Sequence, residues 1–280
     1  MQAAQAHSIL DALDNKSRRV TTRATPQGEV VWRSWGEGPP LVMLHGGAGS
    51  WMHWVRNIEA LSQSHELWLP DLPGMGESDL PRDGLDADSI APIVLDGLVE
   101  LLKGRSFDIV GFSFGSLVSG YITHLAPEKV NQLILTGGTG LGIHVGPRHE
   151  LRPLRGVTDE AEREEILRHN LGAIMIHDAS HIDALAIAVQ DRSAQKDRVR
   201  GRKLARSDAM LKIASTWQCP VRGIWGEDDN TRGRNPAAFD AAVEKLGLKE
   251  KHVLPGAGHW VQFEQAQKYN ALIARMLATH

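Results

Sequence analysis

Gly111-Phe112-Ser113-Phe114-Gly115 follows the apolar run Phe107–Val110 and leads into a helical pattern beginning Ser116-Leu117-Val118. A serine with glycines two places to either side, at a strand-to-helix turn, is a nucleophile-elbow pattern. The demand behind it is steric. The turn is sharp enough to strain the serine backbone, and the enclosing strand and helix pass so close that only glycine avoids a Cβ clash. Five-residue patterns also recur by chance at ordinary glycine-rich turns, so the rest of the chain must decide.

Three further segments fall in a telling order. His45-Gly46-Gly47 ends the apolar run Leu41–Leu44, and Gly226-Glu227-Asp228-Asp229 ends Val221–Trp225. His259 lies in Gly256-Ala257-Gly258-His259-Trp260, after the short run Lys251–Leu254. Each lies just beyond a predicted strand, so a parallel sheet would gather all of them along one edge. A serine hydroxyl is a poor nucleophile without a base in hydrogen-bonding reach. Imidazole titrates near neutrality and can take and return that proton, and an aspartate can hold the imidazole in the required tautomer. Ser113, His259 and either Asp228 or Asp229 can fill these roles.

The 280 residues suffice for one large domain or a core with an insertion, and for a sizeable buried interior. With 23% charged and 42% hydrophobic residues, the chain has the balance of a globular protein. A net charge of −3 gives no general attraction to nucleic acid or to anionic membranes. The single Cys219 excludes an internal disulfide framework, and its place before Pro220 reads as packing. Met1–Val20 shows no apolar secretory segment, and no run has the length of a membrane span. These features predict a cytoplasmic protein.

Strand-like and helix-like segments alternate, as a parallel α/β sheet requires. Glu29–Trp35 and Leu41–Leu44 read as an early strand pair around a Gly/Pro-rich turn, followed by a helix over His53–Leu61 and a strand at Leu67–Leu69. Ser89–Leu102 has helical apolar spacing, and a strand follows at Gln132–Leu135. Strand signals stop between about Leu141 and Ile213 and resume at Val221. Residues 1–140 and 214–280 therefore read as the core, with 141–213 inserted as a helical cap that excludes water and shapes a pocket. The leading helix Gln2–Leu13 reads as a surface or partner-contacting element whose apolar residues suit a homodimer.

Taken together, these segments resemble the α/β-hydrolase superfamily over nearly the whole chain, including the order serine, acid, histidine. Several are similar to the meta-cleavage-product (carbon–carbon bond) hydrolases. The pieces are His45-Gly46-Gly47 with Arg56-Asn57, Asp71-Leu72-Pro73-Gly74-Met75-Gly76-Glu77-Ser78-Asp79, Trp225-Gly226-Glu227-Asp228-Asp229, and Gly258-His259-Trp260-Val261-Gln262-Phe263-Glu264. Two positions depart from that family. Phe112 and Phe114 flank the serine where Asn and Met are usual, and His53 stands where an Asn is common. The resemblance implies an α/β-hydrolase fold, a mostly parallel central sheet flanked by helices with a helical cap, and no cofactor. It assigns the acid to Asp229, fourth in Gly-x-x-Asp, in preference to Asp228. It places the oxyanion donors at the backbone N–H of Phe114 and of Gly47, with Gly46 as the alternative to Gly47.

The same resemblance implies an arginine on the cap that pairs with a substrate carboxylate. Arg192 is the choice within the basic run Arg192, Lys196, Arg198, Arg200, Arg202, Lys203 and Arg206, a run that otherwise reads as a solvated face. Trp260, Phe112 and His53 are candidates for contacting substrate. The expected activity is carbon–carbon bond hydrolysis of a 2-hydroxy-6-oxo-dienoate-like compound, with a carboxylesterase as the second reading and a non-catalytic small-ligand binder as the third. His177 and His181, spaced like a zinc motif around Asp178, lack a third ligand, and no metal is expected. Gly74-Met75-Gly76 and Gly138-Thr139-Gly140 lack the third glycine of a dinucleotide fingerprint. A serine at position 113 argues against the aspartate-nucleophile dehalogenases and epoxide hydrolases.

Overall fold

The computed structural model describes residues 2–23, 28–82, 86–143, 150–199, 201–233 and 235–279. Strands β1 (Arg18–Arg23), β2 (Glu29–Trp35), β3 (Pro40–Leu44), β4 (Glu66–Pro70), β5 (Phe107–Phe112), β6 (Val130–Thr136), β7 (Val221–Gly226) and β8 (Glu250–Leu254) form one sheet. Their order is β1-β2-β4-β3-β5-β6-β7-β8. The pairings β1–β2 and β2–β4 are antiparallel and the others parallel. The early strands β2 and β3 are thus not partners, because β4 lies between them. A parallel β3–β4 pair needs a crossover, which the chain makes through Trp51–Trp54 and Ile58–Leu61, two short helical turns in place of the expected single helix.

Helices cover both faces of the sheet, so β3 and β5 are buried along their whole length and read as continuous apolar runs. Alternate residues serve opposite faces. Leu41 and Met43 join a core with the C-terminal helix Ala266–Leu277, while Val42 and Leu44 join one with the helices Ala87–Leu102 and Phe114–Leu125. Between β6 and β7 the described residues hold helices but no strand, chiefly Glu160–Ile174 and Ala184–Ala194. Strand β1 escapes sequence reading because Arg-Arg-Val-Thr-Thr-Arg is a polar edge. Its Thr22 is nevertheless buried and accepts the indole N–H of Trp32 at 2.9 Å.

The leading helix, Ala3–Lys16, is not a free surface. Ala6, Leu10 and Leu13 are buried in the same core as Trp35 and the helix Ala184–Ala194. The indole of Trp35 donates to the Leu13 carbonyl at 3.0 Å. The apolar face on which the expectation of a homodimer rested is therefore covered within its own chain. Cys219 is half-buried, and burial pushes its thiol up to about 11, leaving little thiolate near neutrality. Among the described residues no helix is long and apolar enough to cross a membrane.

Leu10→Ala is expected to cost about 2–4 kcal/mol in denaturant melts, as a buried leucine truncation does. Sedimentation of the variant should match the parent; a change in association state would place this helix in an intermolecular contact instead.

Candidate active site

The register of the sheet sets the site. Gly111 pairs with Leu44 on β3, Phe112 with Thr136 on β6, Thr136 with Ile224 on β7, and Gly226 with Leu254 on β8. The carboxyl ends of these strands lie side by side, and the loops beyond them carry Ser113, Asp229 and His259.

Ser113 has φ 54° and ψ −117°, a left-handed conformation that costs a residue with a Cβ about 1–3 kcal/mol. The flanking glycines explain why the turn is nonetheless held. A Cβ on Gly111 would lie 2.4 Å from the Gly115 carbonyl oxygen and the Ser119 hydroxyl, and one on Gly115 would lie 2.4 Å from the His45 oxygen. The strained turn is thereby wedged between the helix it starts and the loop after β3. Its serine side chain is partly exposed.

The Ser113 hydroxyl lies 2.8 Å from Nε2 of His259, and Nδ1 of His259 lies 2.9 Å from Oδ1 of Asp229. Asp229 also accepts from the Thr231 N–H at 2.8 Å and the Thr231 hydroxyl at 2.7 Å. Burial alone would raise the Asp229 carboxyl. The charge and hydrogen bond of His259, with the Thr231 donors, outweigh burial and hold it below 3.8. Asp229 is therefore ionised and the tautomer of His259 is defined: Nδ1–H faces the carboxylate and Nε2 is available to the serine. Asp228 points away, half-exposed and 3.5 Å from His177, so the choice between the two aspartates is decided by which one reaches the imidazole.

The histidine loop is braced by residues that sequence reading met only as part of a motif. Glu264 is buried and accepts the N–H groups of Gly258 at 2.6 Å, His177 at 3.0 Å and Asp178 at 3.1 Å, joining the loop to the segment that follows the helix Glu160–Ile174. Arg56 donates to the Phe263 carbonyl at 2.9 Å and Asn57 to that of Gln262 at 3.1 Å. His177 and His181 face different carboxylates, Asp228 and Glu264.

Of the two oxyanion-loop glycines, Gly46 is committed: its N–H donates to Nδ1 of His53 at 3.2 Å. Phe114, the residue after Ser113, opens the helix Phe114–Leu125, and the N-terminal end of a helix favours negative charge. Four expected substrate contacts, Arg192, Phe112, Trp260 and His53, lie elsewhere. Arg192 faces the leading helix, bonded to Asp11 at 2.7 Å and His7 at 3.1 Å, because the helix that carries it packs there. Another member of the same basic run, Arg202, reaches the oxyanion loop instead. A Cβ on Gly47 would lie 3.2 Å from its Nε, its guanidinium sits 5.5 Å from the centre of the Phe114 ring, and Asp197 pairs with it. Its Nε is buried without a hydrogen-bond partner among the described residues. Arg200 lies outside the described residues. Finally, Phe112, Trp260 and His53 are buried rather than exposed to a pocket. Phe112 packs on the His259 ring at 4.9 Å, and the Trp260 indole donates to the His53 carbonyl at 2.9 Å, so they form the floor beneath the triad.

The alpha/beta hydrolase family profile matches residues 41–272, and the chain belongs to that family. It is 29% identical over 87% of its length to the dihydrolipoyllysine-residue acetyltransferase component of an acetoin cleaving system from Pseudomonas putida, and spans 64% of that protein. It is 28% identical to a 2-hydroxy-6-oxononadienedioate/2-hydroxy-6-oxononatrienedioate hydrolase of Pseudomonas putida, covering 90% of this chain and 92% of the relative. A solved mutant meta-cleavage product hydrolase superposes with a TM-score of 0.71 at 24% identity, covering 93% of this chain and 98% of that one.

The wedged turn makes two stability expectations. Gly115→Ala should lose several kcal/mol or fail to fold, since backbone oxygens occupy the Cβ position. Ser113→Gly should melt above Ser113→Ala by the relieved strain, roughly 1 kcal/mol; equal melting temperatures would argue that the turn is relaxed.

Proposed function

We propose that this α/β hydrolase is a serine hydrolase that cleaves a carbon–carbon bond in a 2-hydroxy-6-oxo-dienoate-like carboxylate, without a cofactor. The observation that carries the reading is the continuous hydrogen-bonded chain from the Ser113 hydroxyl through His259 to Asp229. As the Ser113 Oγ attacks the carbonyl carbon, Nε2 of His259 takes its proton, and Asp229 stabilises the imidazolium that results. The developing oxyanion meets the N–H groups of Gly47 and Phe114.

Breaking a carbon–carbon bond leaves a carbanion, a far poorer leaving group than an alkoxide. Before the attack, proton transfer by His259 converts the dienol to its keto form, so that the carbanion expelled from the tetrahedral intermediate is conjugated, and the imidazolium of His259 then gives it the proton taken from the serine. Water then releases the acyl group from Ser113 with His259 as base. The guanidinium of Arg202 beside the oxyanion loop supports an anionic substrate. The printed names of relatives such as the 2-hydroxy-6-oxo-6-phenylhexa-2,4-dienoate hydrolase of Comamonas testosteroni, 26% identical, support the same substrate class. The departure of Phe112 and Phe114 from the Asn and Met usual in the carbon–carbon hydrolases favours a second reading, hydrolysis of small or aromatic esters.

Three measurements test the proposal. A fluorophosphonate probe should label the protein but not Ser113→Ala, and Asp229→Asn should lower kcat on the order of 10⁴-fold through loss of the correct tautomer. A purified dienol-type ring-fission product should be turned over faster than p-nitrophenyl esters. Ester hydrolysis with no action on the dienol would reject carbon–carbon cleavage, and folded protein that takes no label would favour a non-catalytic binder.

A further inference from the structure

Two buried histidines bond the two peptides that meet at Gly46. His45 accepts the N–H of Leu72 on Nε2 at 2.8 Å, so its Nδ1 carries the proton, and that Nδ1–H donates to the Gly46 carbonyl at 2.8 Å. His53 accepts the Gly46 N–H on Nδ1 at 3.2 Å, which places its proton on Nε2. Both peptide planes that meet at Gly46 are thereby pinned. The Gly46 carbonyl and the Gly47 N–H belong to one planar trans peptide, so a bond that fixes the first aims the second. Donation into a carbonyl also polarises the N–H across the same amide, strengthening it as a donor.

We propose that His53 is a positioning residue: by holding the peptide before Gly46 while His45 holds the one after it, it keeps the Gly47 N–H in register for the oxyanion; this rests on Ser113 being the nucleophile. The surroundings are built for the purpose. A Cβ on Gly46 would lie 3.2 Å from the Ser113 Cβ, so the pinned segment abuts the nucleophile. Gly49 passes so near that a Cβ there would overlap the His53 ring at 2.2 Å. Phe112 and Trp260 pack on the ring with centroids 5.4 and 5.2 Å away, and the Trp260 indole bonds the His53 carbonyl. The grip needs both imidazoles neutral. Burial first, then the neighbouring His45 and His259, push His53 well below its ordinary range, and burial lowers His45.

The test compares His53→Phe, which keeps a ring but lacks the acceptor, with His53→Asn, whose amide oxygen can accept the Gly46 N–H. In folded His53→Phe the rate of fluorophosphonate labelling and the kcat for p-nitrophenyl acetate should fall about 10- to 100-fold, the scale of a misplaced catalytic donor, with KM within about threefold. His53→Asn should regain most of the loss. Nitrogen-15 spectra of the parent should show His45 protonated on Nδ1 and His53 on Nε2. Parental rates in His53→Phe, equal losses in both variants, or the opposite tautomers would each overturn the proposal. Should His53→Phe not fold, the spectra decide. A parent that takes no Ser113-dependent label would instead defeat the hydrolase reading and leave the spectra to judge the grip.

Discussion

Three backbone segments converge on Ser113 with no space for a side chain between them, and the rest of the molecule is arranged around that contact. Gly115 lies against the carbonyls of Leu44 and His45, and Gly111 against the helix that the nucleophile turn begins. The strain of a positive φ at Ser113 persists because the neighbours leave the turn nowhere to relax. Sheet order serves the same end. Placing β5 between β3 and β6 sets the oxyanion loop on one side of the serine, while β6, β7 and β8 step toward the acid and the histidine on the other.

Around this contact, polar groups buried out of water each have a defined task. Asp229 is kept ionised by His259 and Thr231 against the pull of burial. Glu264 collects three backbone N–H groups from the histidine loop and the cap. His45 and His53 are kept neutral by the same desolvation that Asp229 resists. One dielectric environment therefore yields a charged carboxylate and two uncharged imidazoles, because only the carboxylate is given enough donors to offset the loss of hydration.

The chain between β6 and β7 packs against the site at two places. It crosses the histidine loop at Met175–Asp178, where the Met175 carbonyl accepts from Trp260 at 2.7 Å. Further along, it sends one arginine of a basic run to the Gly47 loop. Within that run the individual roles differ sharply: Arg192 is taken by the leading helix, Arg198 by the carbonyls of Gly76 and Ser78, and Arg202 by Asp197 beside Gly47 and Phe114. Charge pattern alone cannot rank them, because a helix end and an irregular segment have no fixed phase relative to a distant loop.

The sequence by itself determined the elements whose signals are local: the elbow glycines, the strand-end placement of the triad candidates, the alternation of buried strands and amphipathic helices, and a strand-free interval between β6 and β7. Each is legible because steric and periodic demands act within a few residues. Tertiary structure alone decided that β4 separates β2 from β3, that polar Arg18–Arg23 forms an edge strand, that the leading helix is packed in its own chain, and that Asp229 rather than Asp228 reaches the imidazole. It also turned His53 from a candidate substrate contact into a support of the loop. These outcomes depend on which distant surfaces meet, and a side chain's partner across the fold leaves no periodic trace in the chain that carries it.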